Sequence, residues 1–153
     1  MISSTSTSYT GRLVDLSLFP EIRSAGVPAD MTLEPSGAVV AGVSKAVQGF
    51  LICLLSSEGE NREDPFFGTN FRSRMILTNV RYPSDVDQIF TLEASKAIDW
   101  WNRNSKSRPL DEQIKTVELV SQSLTSTKVS LRLKLYSKSE SDIDFLLPVN
   151  WSN

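Results

Sequence analysis

The sequence predicts a single α+β domain in which helices pack on one face of a small mixed or antiparallel sheet that closes in a C-terminal β-hairpin. Three observations carry this reading. Apolar residues recur at helical spacing from Val43 to Leu55, they do so again from Val86 to Trp101, and after Ile114 the apolar period changes to two. A chain of 153 residues fits one domain, which at this size buries about two-thirds of its unfolded surface without needing a disulfide or metal staple.

The first ten residues are rich in Ser and Thr and poor in apolar side chains, so they read as a flexible arm, residues 1–10, ahead of a domain spanning 11–149 and a tail at 150–153. Within Leu13–Leu18, Val14, Leu16 and Leu18 alternate with Asp15 and Ser17, the pattern of a half-buried strand that Pro20 ends. Residues 20–41 hold Pro20, Pro28 and Pro35 and the Ser36-Gly37 break, which predicts a connection draped over the surface.

Val43, Ala46, Val47, Phe50, Leu51, Leu54 and Leu55 then line one helical face. This helix is expected to leave through Gly59, a usual C-cap residue, into a charged excursion from Ser56 to Asn70 that re-enters the core at Phe66 and Phe67. Asn70 is placed to cap a short helix holding Phe71, Met75 and Ile76. The longest helix is expected to begin at Ser84, three residues before Asp87, and to bury Val86, Ile89, Phe90, Ala94, Ala97, Ile98 and Trp101, with Trp100 half exposed. The polar run Asn104 to Pro109 closes it. Ile114 to Val120 reads as a strand and the Ser/Thr run Ser121 to Thr127 as a turn. In the next strand Val129, Leu131, Leu133 and Leu135 face one way, and Ser130, Arg132, Lys134 and Tyr136 the other; Ile143, Phe145, Leu147 and Val149 then alternate again.

Composition excludes several function classes. Sixteen basic residues against 18 acidic ones leave no field of one sign to hold nucleic acid or an anionic membrane. No apolar run approaches the roughly 20 residues of a membrane span, and the first residues lack the basic and apolar regions of a secretory signal, so assembly in the cytoplasm is expected. Histidine is absent, which removes the commonest general base and the usual partner of a Ser or Cys nucleophile, and no phosphate-binding glycine loop occurs. Cys53 sits among apolar neighbours and reads as a small buried hydrophobe. Phe66, Phe67, Phe71, Trp100 and Trp101 read as core packing, because no basic groove surrounds them. No catalytic residue, metal or cofactor is expected. Glu58, Glu60, Glu63 and Asp64 form the one carboxylate group that an enzyme could use, as a peptidoglycan hydrolase would, yet their hydrophilic setting favours a solvated loop. In that loop Glu60 is expected to accept backbone N–H groups or to pair with Arg62, Arg72 or Arg74.

The excursion also carries a pattern. Gly59-Glu60, then Pro65, Phe67 and Gly68 between two helices, resembles the motif of the sheath-initiator family of contractile-tail baseplates, which comprises phage wedge subunits once labelled lysozyme-like and the corresponding type VI secretion subunit. Asn61 stands where that family usually has Arg, with Arg62 one place later, and Arg108-Pro109-Leu110-Asp111-Glu112 replaces its Glu-Pro-Arg signature. The resemblance implies a non-enzymatic virion protein of the tail baseplate, in six copies. Its partners would be the tail sheath protein, other wedge proteins, and tube or hub proteins. It further implies that the strands 129–136 and 143–149 present an edge to arms of the first sheath ring, with Ser130, Arg132, Lys134 and Tyr136 as interface residues.

Overall fold

The computed structural model describes residues 15–16, 39–77, 80, 82–104, 107–126 and 128–150. The expected arm at 1–10 and most of the connection 20–41 lie outside them. Of the first expected strand, β1 (Asp15–Leu16) is described, and it pairs antiparallel with β2 (Val39–Val40), in the register Asp15↔Val40 and Leu16↔Val39. The connection therefore ends in a strand, formed by two β-branched residues.

Helix α1 (Val43–Leu55) follows Gly42, whose carbonyl accepts the Lys45 and Ala46 N–H groups. It buries Ala46, Val47, Phe50, Leu51, Cys53 and Leu54. Helix α2 (Phe71–Leu77) buries Phe71 and Met75, which are four residues apart and share a face; Ile76, one step further round, is 47% exposed. Helix α3 (Pro83–Asn104) starts one residue before the expected Ser84. Pro83 takes the first helical position, where its missing N–H costs nothing, and Asp85 rather than Asp87 accepts the Tyr82 N–H at 3.3 Å. Val86, Phe90, Ala94, Ala97 and Trp101 are buried along it, and Ile98 is half-buried. Among the described residues no helix is long and apolar enough to cross a membrane.

The two long helices meet where Gly49 faces Trp101. A Cβ on Gly49 would lie 2.0 Å from the indole ring, so the indole rests directly on the backbone of α1. The indole N–H donates to the Glu112 carbonyl at 2.7 Å, fixing a short 3₁₀ turn (Leu110–Glu112) beneath α1. Arg108 stacks over the same ring at 4.1 Å. From that turn the chain enters β3 (Ile114–Leu124), β4 (Lys128–Ser137) and β5 (Asp142–Asn150), a three-stranded antiparallel sheet in the order β3-β4-β5.

β3 continues through Ser121–Leu124, where a turn was expected, because pairing of Gln122 with Leu131 and of Leu124 with Val129 outweighs the weak strand preference of Ser. The expected turn is correspondingly shorter, with Thr125 N–H donating to the Lys128 carbonyl at 2.9 Å. A register shift between Leu119 and Ser121 leaves Val120 out of the pairing and half exposed. β5 likewise reaches Asn150, opposite Lys128, one residue into the expected tail. Val129, Leu131, Leu133 and Leu135 of β4 and Phe145, Leu147 and Val149 of β5 are buried as their alternation requires, and Ile114 of β3 joins them in the core.

The β4–β5 hairpin closes with Ser137 donating to the Ser141 carbonyl at 2.8 Å and Glu140 donating to the Ser137 carbonyl at 3.1 Å. This three-residue loop needs a left-handed residue at its third position, and Glu140 supplies it at φ 67°. Glu140→Gly should therefore raise stability by about 0.5–1 kcal/mol in urea unfolding, whereas Glu140→Ala, which keeps the Cβ, should not. Gly49→Val should cost about 3 kcal/mol in the same assay, through displacement of Trp101.

Candidate interaction surfaces

The corner between α1 and α2 is closed at its base by backbone pairing. Ser57 and Thr69 form a parallel bridge, with Glu58 N–H donating to the Thr69 carbonyl at 3.1 Å and Thr69 N–H to the Ser56 carbonyl at 2.8 Å. The Thr69 hydroxyl reaches the Leu54 carbonyl at 2.7 Å, which satisfies one orphan acceptor at the end of α1, and it accepts the Phe71 N–H at the start of α2. Asn70 is thus not the side-chain cap expected: its side-chain nitrogen donates to Glu58 at 2.7 Å.

Two motif glycines are held by geometry. Gly59 does not cap α1, which ends at Leu55 with an extended Ser56 as its C-cap. It instead occupies the left-handed position, φ 79°, of a turn in which Glu60 N–H donates to the Ser57 carbonyl. Gly68 has φ 96°, and a Cβ there would stand 2.5 Å from the Ser57 carbonyl oxygen. The loop can close only with glycine at that position.

Three of the four expected carboxylates, Glu58, Glu60 and Asp64, hold this loop. Glu60 accepts the Ser57 N–H at 3.4 Å, Glu58 pairs with Lys96 at 3.6 Å, and Asp64 accepts both the Phe66 N–H at 3.2 Å and the Trp100 indole N–H at 2.8 Å. Phe67 packs edge-on against Trp100 with centroids 4.8 Å apart. Phe66 does not re-enter the core: it is 72% exposed, with Arg103 set 5.8 Å over its ring. Pro65, Arg62 and Glu63 are exposed at the loop tip.

The residue that ties the corner to α3 is Glu93, which sequence reasoning passed over. Its side chain is fully buried, yet it accepts the Asn70 N–H at 2.9 Å and meets Arg74 at 3.0 Å and Lys96 at 3.3 Å. The signal was present, since Glu93 lies three residues after Phe90 and four before Ala97 and so falls on the buried stripe. A second buried pair, Lys45 and Glu112 at 3.8 Å, joins α1 to the 3₁₀ turn, and Gly42 N–H also points at Glu112. Among the described residues no cluster of Cys, Asp or Glu is arranged to hold a metal ion.

The sheet has one covered and one open face. Ser130, Arg132, Lys134 and Tyr136 lie on the open one, where Lys134 bonds Asp142 at 2.9 Å and Tyr136 donates to Glu118 at 3.3 Å. The hydrogen bond to Asp142, reinforced by its charge, raises the Lys134 pKa. These residues cannot offer a strand edge, however, because β4 is the central strand and both its edges are paired. A partner would meet their side chains from above the face, while its backbone would have to use an outer strand.

The two outer edges differ. Asn102 on α3 brackets Ile114, donating to its carbonyl at 2.8 Å and accepting its N–H at 3.0 Å, so the side-chain amide stands where a neighbouring strand would. At the other end Gln122 donates to the Pro83 carbonyl at 2.9 Å. Pro83 and Asn102 are about 28 Å apart along a helix and Ile114 and Gln122 about 27 Å apart along a strand, so α3 and β3 run in opposite directions and meet at both ends, while most of β3 between these contacts is exposed. Along β5 the Ser137–Ser141 bond sets the alternation: odd residues pair with β4, and Asp142, Asp144 and Leu146 turn their N–H and C=O groups outward.

No family model and no curated protein matches the chain. Among solved structures, the fold is similar to that of a Geobacter sulfurreducens protein provisionally named a tail lysozyme, at a TM-score of 0.51 and 15% identity, over 76% of this chain and 97% of that one. The α+β fold is thus one found in another protein of nearly the same extent as the shared region.

Gly68→Ala should cost at least about 2 kcal/mol, from the left-handed backbone and the contact with Ser57. Cys53, whose thiol burial pushes above its ordinary pKa, should react with a thiol reagent at pH 8 only at the rate of global unfolding; fast labelling of the folded protein would contradict its burial.

Proposed function

We propose that this protein is a non-enzymatic structural component of a contractile tail, a baseplate wedge subunit that templates sheath polymerisation by strand addition. The observation that carries the reading is the corner motif, Gly59-Glu60 with Pro65, Phe67 and Gly68, in a chain whose fold is shared with a protein provisionally named a tail lysozyme. Two features support it. Three of the four carboxylates a hydrolase could use, Glu58, Glu60 and Asp64, are engaged in holding the corner, and the three-stranded sheet leaves the outer edge of β5 unpaired among the described residues. Unpaired strand groups bind extended peptide through backbone hydrogen bonds, with alternate side chains setting register.

In this reading the partners are the tail sheath protein and neighbouring wedge proteins, the location is the virion baseplate, and the same architecture serves a type VI secretion baseplate. Quantitative mass spectrometry of purified tail particles should find six copies per baseplate, and deletion should yield tubes without sheath. Fully sheathed tails from the deletion strain would sink the assignment. Clearing of cell-wall substrate by the purified chain, lost on Glu60→Gln, would return the hydrolase reading.

A further inference from the structure

The two outward edges of the sheet are not equivalent in chemistry, and the difference specifies a partner. The edge of β3 is bracketed by Asn102 at Ile114, its first residue, and beyond it carries Glu118 as its one acid. The edge of β5 carries outward donors at Asp142, Asp144 and Leu146, and then Pro148, which has none. Pro148 lies opposite Ser130 in a pair that does not exchange hydrogen bonds, so the missing N–H is absent from the outer edge and nothing is lost toward β4. The proline thus terminates the edge without weakening the sheet.

Side chains on the same outward residues lie on the open face. There the outermost row carries two acids, Asp142 and Asp144, while the cations stand one strand further in on β4: Lys134, which bonds Asp142 at 2.9 Å and lies opposite Asp144, and Arg132, opposite Leu146; an incoming strand therefore meets the acids first. A second copy of this chain is a poor occupant. Antiparallel β5–β5 registers centred from Asp142 to Asp144 set carboxylate against carboxylate, and registers centred on Phe145 or Leu146 set Asp142 or Asp144 against Pro148, which cannot donate.

From this juxtaposition we propose that the edge of β5 from Asp142 to Leu146 receives an extended segment of a different protein with Lys or Arg at alternate positions, and that Pro148 sets where that added strand stops. The proposal deepens the strand-addition reading and rests on it, naming the charge pattern of the recruited arm and the strand it joins.

The test uses the full chain and two capped synthetic hexapeptides, one alternating Lys and Val and one alternating Glu and Val, followed by amide NMR and hydrogen exchange. The Lys/Val peptide should slow exchange at Asp142, Asp144 and Leu146 and bind roughly tenfold more tightly than the Glu/Val peptide, the size of two cross-strand charge pairs. The double variant D142K/D144K should reverse the preference. Pro148→Val should extend protection by one residue pair and shift sedimentation toward dimer. Equal binding of the two peptides, protection on β3 instead of β5, or no protection at all would overturn the proposal. Those outcomes are separable from the tail assignment: a chain present in six copies and needed for sheathing, yet indifferent to the peptides, keeps the assignment and loses this edge.

Discussion

The arrangement depends on one contact, the indole of Trp101 laid on the bare backbone of Gly49. Two helices this size pack 8–10 Å apart according to the side chains between them, and glycine at the crossing allows the close end of that range. The contact also hands on position. Trp101 fixes the Glu112 carbonyl, Glu112 meets Lys45 back on α1, and two residues later β3 begins with Ile114 bracketed by Asn102, the neighbour of Trp101. One turn of α3 therefore sets both how α1 lies on the core and where the sheet starts.

A second constraint works through charge. Glu93 is buried beside apolar residues, where an unpaired carboxylate would cost several kcal/mol, and the cost is offset by a backbone N–H and two cations. Those partners come from α2, from the corner and from α3 itself. Because removing any one leaves a buried charge undercompensated, the corner is locked to α3 more tightly than its exposed tip suggests. The motif residues fall into the same logic: Gly59 and Gly68 permit the backbone path, Glu60 and Asp64 accept its loose N–H groups, and Phe67 seats it on Trp100.

Much of the fold was legible because burial is periodic. The stripes of α1 and α3 and the alternation in β4 and β5 followed from spacing alone, since each reflects a single flat boundary between core and water. What spacing did not reveal has identifiable causes. The extension of β3 through Ser121–Leu124 is decided by cross-strand partners that local propensity does not contain. Gly59 looked like a helix cap, but the bonds of Thr69 end α1 earlier. Phe66 looked like core because it is aromatic, whereas the loop turns it outward over Arg103. The polar residues of β4 were read as an edge because sequence order says nothing about which strand of a meander is central. Glu93 and Gly49 were passed over for the opposite reason: each breaks the apolar pattern of its helix at a position where a polar partner or a large ring, both distant in sequence, supplies what is missing.

These constraints converge on α3. Its buried stripe forms the core, Glu93 holds the corner on one side, and its two ends, Pro83 and Asn102, reach β3 on the other. Through Asn102 it satisfies the backbone groups of Ile114 at the start of β3, whereas the outward groups of Asp142, Asp144 and Leu146 on β5 have no partner among the described residues. There the sequence places two acids and a proline, residues that discourage indiscriminate pairing while leaving three outward donors in place. An edge meant only to be silenced would gain more from a proline between Asp142 and Leu146 than from one beyond them. Its position at 148 limits the edge instead of abolishing it, and that is the arrangement expected of a surface kept for a particular strand.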